Sequence, residues 1–176
     1  MKKVDSKKKI ILDADVVIHF CKGEQLGMLP KIFPNKMFIP DIVYRESLSR
    51  DNRIQVNNLI SFKLVTELEI KAEINVLKEY KRLVNTLRLG KGESICLAYC
   101  KYHNDVIASS NLLDIKQYCQ ENSIEYITTM EFLAEAYRTG KMSESDCDYF
   151  IFKVKSKNSH LPCNSIEEFL KNENRS

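Results

Sequence analysis

The chain reads as an α/β protein built on a central, mainly parallel sheet. Three observations predict this. Residues 10–12 are a purely aliphatic run too short for a helix of its own, which is how a strand buried on both faces reads. Strand-like and helix-like segments then alternate along the chain, the pattern of βα units. Acidic residues recur just after the strand-like segments, where open α/β sheets place their ligands.

A length of 176 residues with 44% hydrophobic content fits one domain with a core of its own. Five Gly and four Pro leave little room for long linkers, and no internal repeat is visible. The net charge of +3 is local in origin. Lys2, Lys3, Lys7, Lys8 and Lys9 face only Asp5 in the first ten residues, while the remainder holds 22 basic and 23 acidic residues. Residues 1–8 thus read as a basic tail, solvated or attracted to a polyanion. No stretch approaches the roughly 18 consecutive apolar residues of a membrane span, and the N-terminus lacks the apolar core of an export signal. The six cysteines form no C-x-x-C pair and do not cluster with His19, His103 or His160. Buried free thiols in a cytoplasmic protein are the expectation.

Taken in order, residues 9–12 form the first strand and 15–21 a helix opened by Asp13. A short segment follows over 26–32, then a strand at 37–39 between Pro34 and Pro40. Pro40 and Asp41 open a helix carrying Ile42, Val43, Glu46 and Leu48. A strand is expected at 62–65 and a long helix over 69–87, broken by Gly90 and Gly92. The remaining pattern gives a helix at 93–102, a strand at 106–109, a helix at 111–120 and a strand at 124–127. Thr128 and Thr129 then cap a helix over 130–138. Ser143 with Asp146 starts the next helix, through 152, and Ser165 with Glu168 has the spacing of a capping box.

Four acids stand out by placement: Asp13 after the first strand, Glu46 after the second, Glu93 in the first turn past the glycine break, and Asp114 one turn into the helix after 106–109. Each has an ordinary explanation, Asp13 as an N-cap above all. Converging around one pocket, they would repel one another unless a divalent cation linked them. Hard oxygen ligands favour Mg²⁺ or Mn²⁺ over zinc.

The ordered set of motifs resembles a PIN domain, a nuclease fold found in bacterial toxin ribonucleases. IILDADVVIHF resembles the family's opening strand and first acid, MFIPDIVYRES its second motif, and LGKGESICLAY a third block with Glu93. VIASSNLLDIKQYC followed by IEYITTMEFLAEAYRTGKMS resembles the final motif, and the likeness covers most of residues 9–142. It implies a three-layer α/β/α fold and a metal-dependent endoribonuclease. It further implies RNA as substrate, a small inhibitory antitoxin as partner, and a homodimer. In that reading Asp13, Glu46 and Glu93 hold Mg²⁺ or Mn²⁺, and Asn111 or Asp114 completes the site. Lys22, Arg45, Lys91 and Ser110 are the candidate phosphate contacts. One departure stands out: Ser110 and Asn111 occupy the place where the family usually carries Asp. Residues 143–176 read as a helical extension packed on the same domain, with Phe150, Ile151, Phe152 and Val154 covering the core or forming a dimer face.

Two other functions fit parts of the pattern. A PIN-like domain with this altered fourth motif would bind RNA or protein without cutting. Alternatively, Asp13-x-Asp15 after an apolar strand resembles the opening of a haloacid-dehalogenase-type phosphatase, with Asp13 as nucleophile and Asp15 as acid/base. That family also needs an acidic pair after a later strand, and here the last strand leads only to Thr128, Thr129 and Glu131.

Overall fold

Ile10–Leu12 forms β1, with every side chain buried, because both faces of this strand are covered by helices. We describe a computed structural model of the chain, covering residues 4–71 and 73–173. β2 (Met37–Pro40) and β4 (Val106–Ala108) pair with β1 on either side. β3 (Val65–Leu68) lies outside β2, and β5 (Tyr126–Ile127) outside β4. The order is β3-β2-β1-β4-β5, and every pairing is parallel. From β1 the chain builds outward through β2 and β3, then crosses back to start β4 on the other side. The crevice between the carboxyl ends of β1 and β4 is therefore the topological switch point of the sheet.

The helices are α1 (Ala14–Lys22), α2 (Leu29–Ile32), α3 (Arg50–Ser61), α4 (Ile74–Asn85), α5 (Lys91–His103), α6 (Leu112–Glu121), α7 (Thr129–Arg138), α8 (Glu144–Ser156) and α9 (Ile166–Glu173). Together with the sheet they make an α/β/α arrangement. α5 is the central one: Gly92 through Cys100 are all buried, because the helix packs on β1, β2 and β4 and also against α4 and α6. Opposite, Phe20, Phe33, Phe132 and Phe150 form an aromatic cluster with centroid separations of 5.0–5.8 Å. All six cysteines are buried free thiols. Among the described residues no helix is long and apolar enough to cross a membrane.

Several elements depart from the sequence expectation. α3 has no counterpart there, because Arg50–Ser61 is mostly polar and buries only Val56 and Leu59. Its C-terminus displaces the expected strand at 62–65. Lys63 takes a positive φ of 56° to leave the helix, Phe62 stays 76% exposed, and β3 begins at Val65. α4 is shorter than the expected 69–87, since Ile70 is buried ahead of the helix rather than in it. Gly92 does not break a helix; it lies in the first turn of α5, with Gly90 as N-cap. The residues after Pro40 wind into a wide π-helical turn, Val43–Ser47. Lys8 belongs to no loose tail: its ammonium pairs with Glu125 at 2.5 Å, and Asn35 donates to the carbonyls of Asp5 and Lys8. Lys2 and Lys3 lie outside the described residues.

Candidate active site at the sheet switch point

The crevice is built from three chain segments. Asp13 ends β1 and caps α1, its Oδ1 accepting a 2.7 Å hydrogen bond from the Ala14 amide. Its own amide donates to the carbonyl of Ala108 at 2.9 Å, which fixes β1 against β4 at this level. Glu93 enters from the first turn of α5 and is as buried as Asp13, each only 6% exposed. The 109–111 loop leaves β4 and brings in Asn111, whose side chain hydrogen-bonds Glu93 and donates to Asp114 at 2.7 Å.

Electrostatics ties these acids together. Burial, followed by the Asp15 carboxylate, pushes Asp13 up to about 7. Burial, then Asp13, Asp114 and Asp15, pushes Glu93 up to about 8. Asp13, Glu93, Asn111 and Asp114 therefore do meet, from positions a hundred residues apart. Gly92 makes the approach possible. A Cβ there would lie 2.7 Å from Ser47 Oγ and 3.3 Å from Asp13 Oδ1, so a larger residue would have to push the Ser47 hydroxyl and the Asp13 carboxyl aside.

The other candidates lie elsewhere. Glu46, in the π-helical turn, is half exposed and pairs with Lys91 at 2.8 Å, so both sit at the rim as partners of each other. Arg45 reaches Glu67 at 3.4 Å. Lys22 is not a phosphate contact in this arrangement. α1 starts at the crevice and runs away from it, so its last residue is at the far end, where Lys22 donates to the Lys157 carbonyl and Ser159. Ser110 presents no free hydroxyl to a phosphate, because it donates to Thr129 Oγ1 and accepts from the Thr129 amide, both at 2.9 Å.

Asp15 is the residue the sequence reading left out of the metal site. Its carboxyl, raised by burial, accepts from the amides of Val16 and Ser110 at 2.6 Å and from Ser109 Oγ at 3.3 Å. It pins the 109–111 loop to the start of α1. Below it, Thr129 Oγ1 lies 2.9 Å from Nδ1 of buried His19, an imidazole that burial lowers to about 4 and so keeps neutral. The Asp13-x-Asp15 spacing was the available signal for the first of these. Nothing local marks His19 and Thr129, which are 110 residues apart.

Among the described residues no three His, Cys, Asp or Glu side chains are arranged to hold a metal ion. The donor chemistry nevertheless suits a hard divalent cation. Asp13 and Glu93 are buried carboxyl groups whose charge is opposed by burial and by one another, which a cation would relieve. Mg²⁺ is commonly held through one or two carboxylates, with water and substrate phosphate filling the rest.

Compared with known proteins, the chain matches the model of the DUF3368 family, a PIN domain, over residues 9–175. Neither the curated proteins nor the solved structures gave a match. PIN domains are generally nucleases. With the all-parallel sheet and the family model in agreement over nearly its whole length, the chain belongs to the PIN-domain family.

Proposed function

We propose that this protein is a divalent-metal-dependent endoribonuclease that hydrolyses RNA phosphodiesters. The observation that carries the reading is the pair Asp13 and Glu93, buried together at the carboxyl end of β1 and both driven up in pKa. Work as the toxin of a toxin–antitoxin pair, an antitoxin partner and a homodimer rest on the family alone. A cytoplasmic location rests on the free buried thiols.

Asp13 and Glu93 would hold Mg²⁺ or Mn²⁺, with Asn111 and Asp114 beside Glu93. A cation bound there would acidify a water and neutralise charge developing on the attacked phosphate. The chain's own groups prepare the site. Asp15 keeps the 109–111 loop in place through the Ser110 amide, and Gly92 lets α5 bring Glu93 up to Asp13. Glu46 joins the acids only by releasing Lys91, and an exposed, solvent-screened pair of this kind breaks easily. The freed Lys91 ammonium is then available to a substrate phosphate.

Glu93 must lose its proton to serve as a ligand, so metal binding releases protons and strengthens as pH rises toward 8. Calorimetric titration of Mn²⁺ into wild type and Asp13→Asn tests the site: binding should vanish in the variant, and equal binding removes the metal assignment. Incubation with RNA, with and without EDTA, tests the activity.

One observation favours a second reading. Ser110 and Asn111 are neutral where the family usually has Asp, and both side chains are engaged in internal hydrogen bonds. RNA binding without cleavage in either Mg²⁺ or Mn²⁺ would establish a non-cutting RNA-binding domain instead. The phosphatase reading lacks its second acid: Glu131 after β5 accepts from the Thr128 amide at 2.7 Å in the capping box of α7.

A further inference from the structure

The π-helical turn that carries Glu46 and Ser47 at the rim of the crevice has a second face. Between that turn and α3 lies an open groove of about 320 Å³, lined by Tyr44, Arg50, Arg53, Ile54 and Asn57. Its lining holds two guanidinium groups and no carboxylate; Asp51 and Glu46 belong to the same elements but not to the groove. Resting on the ribonuclease reading above, we infer that this groove is a subsite for single-stranded RNA. It would stack one unpaired base on Tyr44 and bind the neighbouring phosphate through Arg50 and Arg53.

Each lining group has a use in that role. Tyr44 is half buried in the turn, so its ring is held from behind, and an aromatic face accepts any of the four bases. Ile54 leaves 57% of an aliphatic side chain in water, a surface that a base plane would cover. Arg53 is already oriented, because its Nη1 donates to the Arg45 carbonyl at 2.9 Å while its other donors stay available. Arg50 opens α3, at the positive end of a 12-residue helix, where phosphate is favoured. Asn57 supplies an amide for a base edge. Duplex RNA keeps its bases stacked inside, so only an unpaired strand gives Tyr44 a partner. The position is also appropriate: Ser47, in the same turn as Tyr44, abuts Gly92 and through it Asp13, so a strand lying in this groove leads toward the acids.

The test is fluorescence anisotropy with a short labelled single-stranded RNA in EDTA, where the strand stays intact. Arg50→Glu should weaken binding about tenfold and lower the slope of log affinity against log salt by about one. Arg50 is exposed, and glutamate in a first helical turn is compatible with α3, so the fold should survive. Tyr44→Leu, which keeps the bulk and removes the stacking face, should weaken binding about tenfold with the salt slope unchanged. The groove assignment is overturned if wild type does not bind the RNA, or if both groove variants bind as wild type does. Equal binding of duplex RNA, or equal competition by an acidic peptide, overturns it too. Groove variants that bind normally while Asp13→Asn abolishes cleavage would sink the groove and leave the nuclease. Loss of RNA in the groove variants without cleavage by wild type in any metal would do the reverse.

Discussion

Asp13 caps α1 and at the same time sits among other buried carboxyls, and the two duties respond differently to substitution. Asparagine can still accept from the Ala14 amide. It cannot take part in the repulsion that adds to burial in pushing Asp13 to about 7 and Glu93 to about 8, from reference values of 3.8 and 4.5. Because both folded values are raised, the unfolded chain gives up these protons first, and the stability these two groups contribute falls as pH climbs from about 4 to about 8. Without metal, wild type should therefore melt lower at about pH 8 than at about pH 5. Asp13→Asn should flatten that slope and be more stable at the alkaline end by about 1–2 kcal/mol. Parallel melting profiles in EDTA would contradict this account of the site. At this scale the sequence was partly legible. Asp13 and Glu93 stood out because each follows a recognisable strand or helix start. Asp15 looked like part of an ordinary helix opening, and its bond to the Ser110 amide spans 95 residues that no local pattern connects. The Glu46–Lys91 pair was hidden for the same reason, since proximity to a motif says nothing of which side chain a charge meets.

Between elements, contact is set by a few small or charged groups. Gly92→Ala places a methyl against Ser47 Oγ and Asp13 Oδ1. The serine hydroxyl can rotate aside, so the cost in stability should stay near 1 kcal/mol, while the displaced Asp13 should lose Mn²⁺ affinity. Ser47→Ala in the same background should recover stability if the contact is the cause, as a double-mutant cycle would reveal. On the outer face, largely buried Glu79 of α4 joins three helices. It accepts from Arg82 at 2.8 and 3.0 Å, from Lys101 of α5 at 3.0 Å and from Tyr118 of α6 at 2.5 Å. Arg82, foremost among these partners, holds its carboxyl down at about 2. The stability it contributes is thus present above its ordinary value of 4.5 and lost as pH falls toward 2. Glu79→Ala should cost about 2 kcal/mol near neutrality, less than a fully buried pair because Arg82 and Lys101 remain partly in water. An unchanged denaturation midpoint would show that the network contributes nothing. The elements that could be read were those with strong local signals: β1 from its aliphatic run, and α7 and α8 from their capping boxes at Thr128 and Ser143. α3 could not, because two buried side chains on an otherwise polar segment give no periodicity to follow.

For the molecule as a whole, parallel pairing followed from the alternation of strands and helices, whereas the strand order did not. Which side of β1 receives β4 depends on contacts that span the chain, and that choice creates the crevice. The span 143–176 poses the same kind of question, and we propose that it folds as one unit with residues 9–142. Phe150, Ile151 and Val154 of α8 are fully buried, while Phe152 is 65% exposed and so takes no part in covering the core. Phe150 meets Phe20 of α1 at 5.0 Å, and its ring fills the space beside Gly23, where a Cβ would come within 2.3 Å of ring carbons. A ring so enclosed leaves a cavity when removed, and Phe150→Ala should cost about 3–5 kcal/mol. Gly23→Ala should also destabilise, by about 1–3 kcal/mol, because neither α1 nor the ring can yield without disturbing the aromatic cluster. Because Gly23 and Phe150 collide, the combined variant should be less destabilised than the sum of the two, the alanine methyl occupying part of the vacated space. If α8 is integral, thermal unfolding of both single variants stays a single transition at lower temperature. Two separate transitions, with the second at the wild-type midpoint, would show instead that residues 9–142 stand alone and that the extension is only laid upon them.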